Sequence, residues 1–157
     1  MNTQELAKAF TDNCAKGEFD AAGKKFWSDE IVSREPMTGD MAVLKGRKAV
    51  EGKGEWWYAN HEVHNVEVEG PYVNGDQFVV RFKMEVTPKG QKRTKFDEVG
   101  LYTVKNDEIV EEAFVYGRHA RLTGPFDLVT RLAARAASSD NLACGRTLAP
   151  LGAGAGK

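Results

Sequence analysis

The stretch Phe78-Val79-Val80-Arg81-Phe82-Lys83-Met84-Glu85-Val86-Thr87 alternates strictly between apolar and mostly polar positions. Phe78, Val80, Phe82, Met84 and Val86 fall on one side of an extended chain, and Val79, Arg81, Lys83, Glu85 and Thr87 fall on the other. Successive side chains of a strand point to opposite faces, so this is a strand with one buried and one largely solvated face. The period of two continues on both sides, giving strands over 62–73, 76–88, 93–104 and 108–117. The breaks between them carry turn chemistry: Val73-Asn74-Gly75-Asp76 reads as a hairpin, because Asn-Gly accepts the positive φ of a type I′ turn. Pro88-Lys89-Gly90 and Asn106-Asp107 supply the next two turns. A flat strand over 76–88 would reach about 40 Å. A small domain cannot hold it flat, so the sheet curls, with Gly70-Pro71 as a bend.

Upstream of His61 the period is helical. Leu6, Ala9, Phe10 and Asn13/Cys14 define an amphipathic helix over 2–16, with Asn2 and Glu5 placed to form a capping box and Gly17 to stop it. A second helix covers 19–27, with Phe19, Ala22, Gly23, Phe26 and Trp27 on one stripe. Ile31–Glu35 is a short strand ended by Pro36, which has no N–H to give to a ladder. Residues 37–45 read as irregular, and 47–60 as a third helix whose inner face is Val50, Gly54, Trp57 and Tyr58. Gly54, a weak helix former, marks a close approach of backbone or ligand. Helix, helix, strand, helix and a four-strand meander make an α+β fold. It is a cone-shaped, curved antiparallel sheet wrapped by three helices, whose concave face walls an internal pocket.

The composition is that of a soluble globular chain: 157 residues, 41% hydrophobic and 29% charged. No apolar run approaches the roughly 20 residues that span a bilayer. The start, Met1-Asn2-Thr3-Gln4-Glu5, has neither the basic nor the apolar region of a secretory signal, which points to the cytoplasm. Cys14 and Cys144 are too few for a disulfide framework and lack zinc-site spacing. Residues 1–117 carry 16 Lys+Arg against 21 Asp+Glu, a net charge of −5. A body of that charge offers no electrostatic footprint for nucleic acid.

Usage changes after Tyr116. The first 117 residues hold 12 Lys, 4 Arg and 14 Glu, whereas 118–157 hold 5 Arg, 1 Lys and no Glu. The domain therefore spans 1–117, followed by an Arg-rich extension with a helix expected over 126–137 and a mobile Gly/Ala-rich end. A native extension, a shifted reading frame and an appended tail are all compatible with this change.

The segments Lys16-Gly17-Glu18-Phe19-Asp20, Phe26-Trp27-Ser28-Asp29-Glu30-Ile31-Val32, Gly46-Arg47-Lys48-Ala49-Val50 and Leu101 through Glu112 resemble the nuclear-transport-factor-2-like superfamily, in particular its SnoaL-like members. The resemblance covers residues 1–117 and implies the cystatin-like, ketosteroid-isomerase-like roll. That superfamily contains isomerases, cyclases, hydrolases, dehydratases and binding modules, so fold alone selects no activity. Ketosteroid isomerase pairs a carboxylate base with an oxyanion hole of a tyrosine and a protonated aspartate. The resemblance puts Glu35, before Pro36, at the base position, but Phe10 at the tyrosine and Gly100 at the second acid. Removal of one such donor costs about 3–4 kcal/mol of transition-state stabilisation. Glu98, one pleat from Gly100, is the nearest acid that could substitute, and Tyr58 and Tyr116 are candidate hydroxyl donors. The cyclase acid on the last strand falls at Phe114, flanked on the same face by Glu112 and Tyr116. The Asp-Arg-Asp set of the related epoxide hydrolases does not assemble, because Arg81 belongs on the outer face and Arg34 alternates away from Glu35.

The expected site therefore has Glu35 and Glu98 as acid–base residues. Phe10, Trp57, Tyr58, His61, Phe82, Glu112, Phe114 and Tyr116 are the ligand-binding residues. No organic cofactor and no metal is implied: His61 and His64 lack a third ligand, and His61 reads as a partly exposed rim residue. Trp56 falls off the inner face, and Asp97 reads as a solvated partner of Lys95. The ligand is a small hydrophobic or aromatic molecule, and the enzyme reading is a cofactor-free isomerase or lyase step. The alternatives are a non-catalytic binding module or a dimerisation domain whose cone is filled by Phe10, Phe82, Met84 and Phe114. Outward Val79, Val99 and Leu101 are too apolar for a solvated face and point to a sheet-to-sheet homodimer.

Overall fold

The computed structural model describes residues 1–116; the helix expected over 126–137 and the rest of the extension lie outside the described residues. Helix α1 (Thr3–Ala15) opens on the expected capping box. The Asn2 side chain accepts from the Glu5 N–H at 2.9 Å, and the Glu5 carboxylate accepts from the Asn2 N–H at 3.0 Å. Two N–H groups that a helix start leaves orphaned are thereby satisfied. One stripe of α1, including Leu6, Phe10 and Cys14, is buried. Helix α2 (Phe19–Phe26) and helix α3 (Arg47–Asn60) follow, with Val50 as the buried anchor of α3.

Six strands form one sheet: β1 (Trp27–Arg34), β2 (Val43–Lys45), β3 (His61–Asn74), β4 (Gln77–Pro88), β5 (Thr94–Lys105) and β6 (Glu108–Tyr116), in the order β2-β1-β6-β5-β4-β3. Strands β3 to β6 are the expected meander. The sheet is mixed rather than wholly antiparallel, because β1 pairs parallel with β6. The meander brings the last strand back beside the first, and α3 serves as part of the crossover that parallel neighbours require. β2, inside the stretch read as irregular, pairs with β1 through only three residues. A strand that short shows no alternation to read.

All five inward residues of β4 are buried, as their alternation requires. The β3–β4 register slips between Glu69 and Tyr72, placing the bend at Gly70-Pro71. Gly70 has φ +118, and a Cβ there would stand 2.9 Å from the Val79 carbonyl oxygen, so the bend needs glycine. Positive φ at both central residues, the type I′ signature, occurs at Asn106 (φ 53) and Asp107 (φ 64). At the earlier hairpin only Gly75 is positive, and Asn74 stays in β3.

On the outer face, Arg81 Nε donates to Asp97 Oδ1 at 2.9 Å, while Lys95 pairs with Glu85 at 3.8 Å. The expected Asp97–Lys95 pairing is thus replaced by a cross-strand one. Arg81 lies opposite Val99 and so diagonal to Asp97, within reach of a long side chain. Among the described residues, no helix is long and apolar enough to cross a membrane.

The core sits between α1, α2 and the concave sheet. Phe10 packs edge-on against Phe78 (ring centroids 5.8 Å apart) and tilted against Tyr102 (4.8 Å), and Tyr102 stacks on Phe78. Each such aromatic pair adds about 0.5–1.5 kcal/mol beyond its buried area.

Candidate functional site

The sheet register sets polar residues in ordered rows across the concave face. Ser33 on β1 lies opposite Glu112 on β6, which lies opposite Tyr102 on β5 and, beyond it, Phe78 on β4. Two residues further along β6, Phe114 faces Gly100. Two further still, Tyr116 faces Glu98, whose other neighbour is Phe82.

Lys53 enters this surface from α3. Its ammonium donates to Ser33 Oγ at 2.6 Å, Glu35 Oε1 at 2.9 Å and Glu112 Oε1 at 3.3 Å, and stands 4.7 Å above the Phe114 ring. Ser33 in turn donates to Glu112 Oε1 at 2.8 Å. All three ammonium donors of Lys53 are used, and its charge is shared by two carboxylates. Burial alone would lower the Lys53 pKa, but attraction to Glu112 and Glu35 outweighs it and raises it, so Lys53 is held as a cation. Glu112 is 2% exposed, and burial pushes its pKa up against the opposing pull of Lys53 and Ser33.

Glu98 differs. It has no ion pair within 4 Å among the described residues. Burial, reinforced by the charge on Glu35 and only partly countered by Lys53, pushes its carboxyl up to about 8. At neutral pH it is mainly the neutral acid, able to give a proton. The Tyr116 hydroxyl is raised by burial and by the charges of Glu35 and Glu98, so it stays a donor.

Glu35, Glu98, Lys53 and Tyr116 line one cavity of about 190 Å³. A cavity of roughly 150 Å³ is enough for benzene, so this one takes a ring with a small substituent. Phe19, Phe96, Phe114, Trp56 and Trp57 form apolar walls, and Met37, Met41 and Met84 add adaptable thioethers.

Most of the expected site residues meet here: Glu35, Glu98, Trp57, Tyr58, His61, Phe114 and Tyr116 all line the cavity, as does Gly54. Phe10 and Phe82 do not. They are 4% and 2% exposed and belong to the core, because α1 packs Phe10 onto Phe78 and Tyr102 and α2 packs Phe19 onto Phe82. Glu112 likewise sits below the wall, tied to Ser33 and Lys53. His61 is buried at 6% exposure rather than partly exposed at a rim, since Trp57 stacks on it (4.7 Å, 13°). Trp56, expected off the inner face, lines the cavity as well.

Lys53 and Ser33 are absent from the expected site, although the pattern contains them. Lys53 lies three residues after Val50 and four before Trp57, on the same helical stripe. Ser33 alternates with Ile31 and Glu35 on the inner face of β1. Tyr102, two residues beyond Gly100, fills the space at that position. A Cβ on Gly100 would meet the Tyr102 hydroxyl at 2.7 Å, so no acid side chain fits there beside Tyr102.

Comparison with known proteins agrees with this architecture. A structure from Mesorhizobium loti, described as a candidate SnoaL-like polyketide cyclase and as a carbohydrate phosphatase, is 53% identical over 74% of this chain and all of its own, with a TM-score of 0.72. A candidate SnoaL-like polyketide cyclase from Jannaschia sp. CCS1 shares the fold at 16% identity and a TM-score of 0.61, covering 78% of this chain and 90% of its own. So does TerC, co-crystallised with polyporic acid, at 13% identity and a TM-score of 0.61, over 75% and 93% of the two chains. A comparison with curated proteins returned no match. The SnoaL-like domain model matches residues 1–116, and with that match the chain belongs to the SnoaL-like family.

Proposed function

We propose that the cone binds a small, flat, largely apolar carbonyl compound and catalyses proton transfer next to its carbonyl, an isomerase- or lyase-type step without a cofactor. Glu35, paired with Lys53 at 2.9 Å, takes a proton from the carbon beside the carbonyl. Glu98, the neutral acid, gives its proton to the carbonyl oxygen, and the product is the enol. Return of the Glu35 proton at a different carbon, as Glu98 takes back the enol hydroxyl proton, completes an isomerisation and restores both carboxyls. The observation that carries this reading is the pair itself: two carboxyls on one apolar cavity, one held beside a cation and the other half-buried without one. A carboxyl beside a cation and a carboxyl without one are suited to divide the base role from the acid role.

The test is hydrogen–deuterium exchange of the methyl protons of acetophenone, followed by NMR in D₂O. The protein accelerates exchange over buffer, and Glu35→Gln lowers the catalysed rate by on the order of 10²–10⁴-fold. Saturable binding of acetophenone with no accelerated exchange sinks the catalytic reading and leaves a binding module.

We also propose that the chain acts as a homodimer through the outer sheet face. Tyr72 and Val115 are each 65% exposed, and Leu101 is 37% exposed. Across the strands, Tyr72 adjoins Val79, which adjoins Leu101, and Val99 adjoins Val115, giving contiguous apolar rows. Sedimentation equilibrium is expected to return the dimer mass for the native chain and the monomer mass for Leu101→Lys/Val115→Lys. A native chain sedimenting as a monomer refutes the interface.

A further inference from the structure

Lys53, Ser33 and Glu112 close a triangle of hydrogen bonds behind the cavity wall. Lys53 Nζ donates to Ser33 Oγ at 2.6 Å and to Glu112 Oε1 at 3.3 Å, and Ser33 Oγ donates to Glu112 Oε1 at 2.8 Å. The remaining ammonium hydrogen goes to Glu35 Oε1 at 2.9 Å, and the charge stands 4.7 Å over the Phe114 ring. An ammonium has three donors and no acceptor, so Lys53 has no hydrogen to give a ligand, although it lines the cavity. Glu35 lines the cavity beside it, with 15% of its side chain exposed.

Charge balance does not call for the triangle. Lys53 already has Glu35 as a counter-ion, whereas Ser33 and Glu112 are 1% and 2% exposed and share a row of the sheet with Tyr102 and Phe78. Burying a further polar pair in such a row costs desolvation, and apolar side chains of similar volume serve stability as well or better. What the pair does supply is geometry. A lysine ammonium rides on a flexible four-carbon stem, and with Glu35 as its one partner both side chains could swing together. Acceptors on two adjacent strands, with Ser33 of β1 in register opposite Glu112 of β6, fix Nζ at one point. Nζ in turn fixes Glu35 Oε1.

We propose that Ser33 and Glu112 are positioning residues for the proton transfer: they hold the Lys53 ammonium, and the ammonium holds the Glu35 carboxyl against the bound carbonyl compound. This rests on the reading of Glu35 as the base in the cavity. Neither Ser33 nor Glu112 lines the cavity, so each acts through Lys53.

The test measures kcat and KM for deuterium exchange of the acetophenone methyl protons, with each protein kept below its unfolding midpoint. Displacing a reacting group by about 1 Å costs on the order of 10²-fold in rate. Ser33→Ala/Glu112→Leu leaves Lys53 paired with Glu35 alone. It is expected to lose about 10²-fold in kcat with KM unchanged, because the ring still meets the same walls. Glu112→Gln keeps an acceptor oxygen near the Oε1 position and is expected to retain most of the wild-type kcat. A role in stability alone would lower the unfolding midpoint and leave kcat where it was. Ser33→Ala by itself, the smallest change, is expected to lower kcat about tenfold, the equivalent of one lost hydrogen bond. It should also loosen the Lys53 ammonium, read as greater mobility in its ¹⁵N relaxation. An unchanged kcat in the double variant or in Ser33→Ala, a loss that appears in KM instead, or an ammonium that stays rigid overturns the assignment and leaves Glu35 as the base. A wild type that binds acetophenone without accelerating exchange overturns the base reading and this assignment together.

Discussion

Replacing Glu98 with glutamine removes a cavity-wall carboxyl whose pKa is pushed up to about 8. Folded, its carboxyl titrates at about 8; the ordinary value, appropriate to the unfolded chain, is 4.5. Between these two values the native state holds a proton that the unfolded state has lost, so Glu98 makes stability fall as pH rises. The loss begins near pH 4.5, continues through the window and is complete above about pH 8. A full shift of this size would correspond to about 5 kcal/mol at about 1.4 kcal/mol per unit. Glu98 is half-buried against a cavity that water can enter, so screening reduces this to about 2 kcal/mol. Glutamine keeps the shape and cannot ionise. In urea titrations from pH 4 to 9, Glu98→Gln should therefore gain about 2 kcal/mol on the wild type as pH rises, chiefly between about pH 4.5 and 8. Parallel stability curves for the two proteins, or a variant that weakens relative to wild type at high pH, would refute the assignment of Glu98 as a neutral acid on the cavity wall.

Two further substitutions probe the floor of the site. Lys53→Met leaves Glu112, whose side chain is 3% exposed, without its cation. Removing one partner of a buried ion pair costs about 3–5 kcal/mol at pH 7. The deficit should shrink towards pH 4 as the carboxylates take up protons, and thermal unfolding at the two pH values measures it. Gly100→Ala forces a methyl group to within 2.7 Å of the Tyr102 hydroxyl and displaces a ring stacked on Phe78. A loss of about 1–3 kcal/mol is expected, and chemical denaturation giving a change near zero would mean that Tyr102 moves freely.

Several properties of this protein follow from local rules that its sequence states openly. The capping box at Asn2 and Glu5, the bounds of the helix over 47–60, the inward row of β4 and the bend at Gly70-Pro71 each depend on neighbours within a few residues. Periodicity and turn chemistry are enough for these. The same periodicity places Glu35, Glu98, Phe114 and Tyr116 on concave faces. It also reads Phe10 and Phe82 as inward-facing, and there it stops, because facing inward does not say whether a side chain meets a cavity or another side chain. That depends on how closely α1 and α2 ride on the sheet, which is a property of packing between distant segments. The parallel pairing of β1 with β6 is likewise a matter of where the chain returns. That pairing sets Ser33 opposite Glu112, and α3 then lowers Lys53 between Glu112 and Glu35. Glu35 and Glu112 stand 18 and 59 positions from the lysine that joins them. No sequence window contains them together, and the Glu112 pKa depends on burial that only the closed cone creates and on that distant cation.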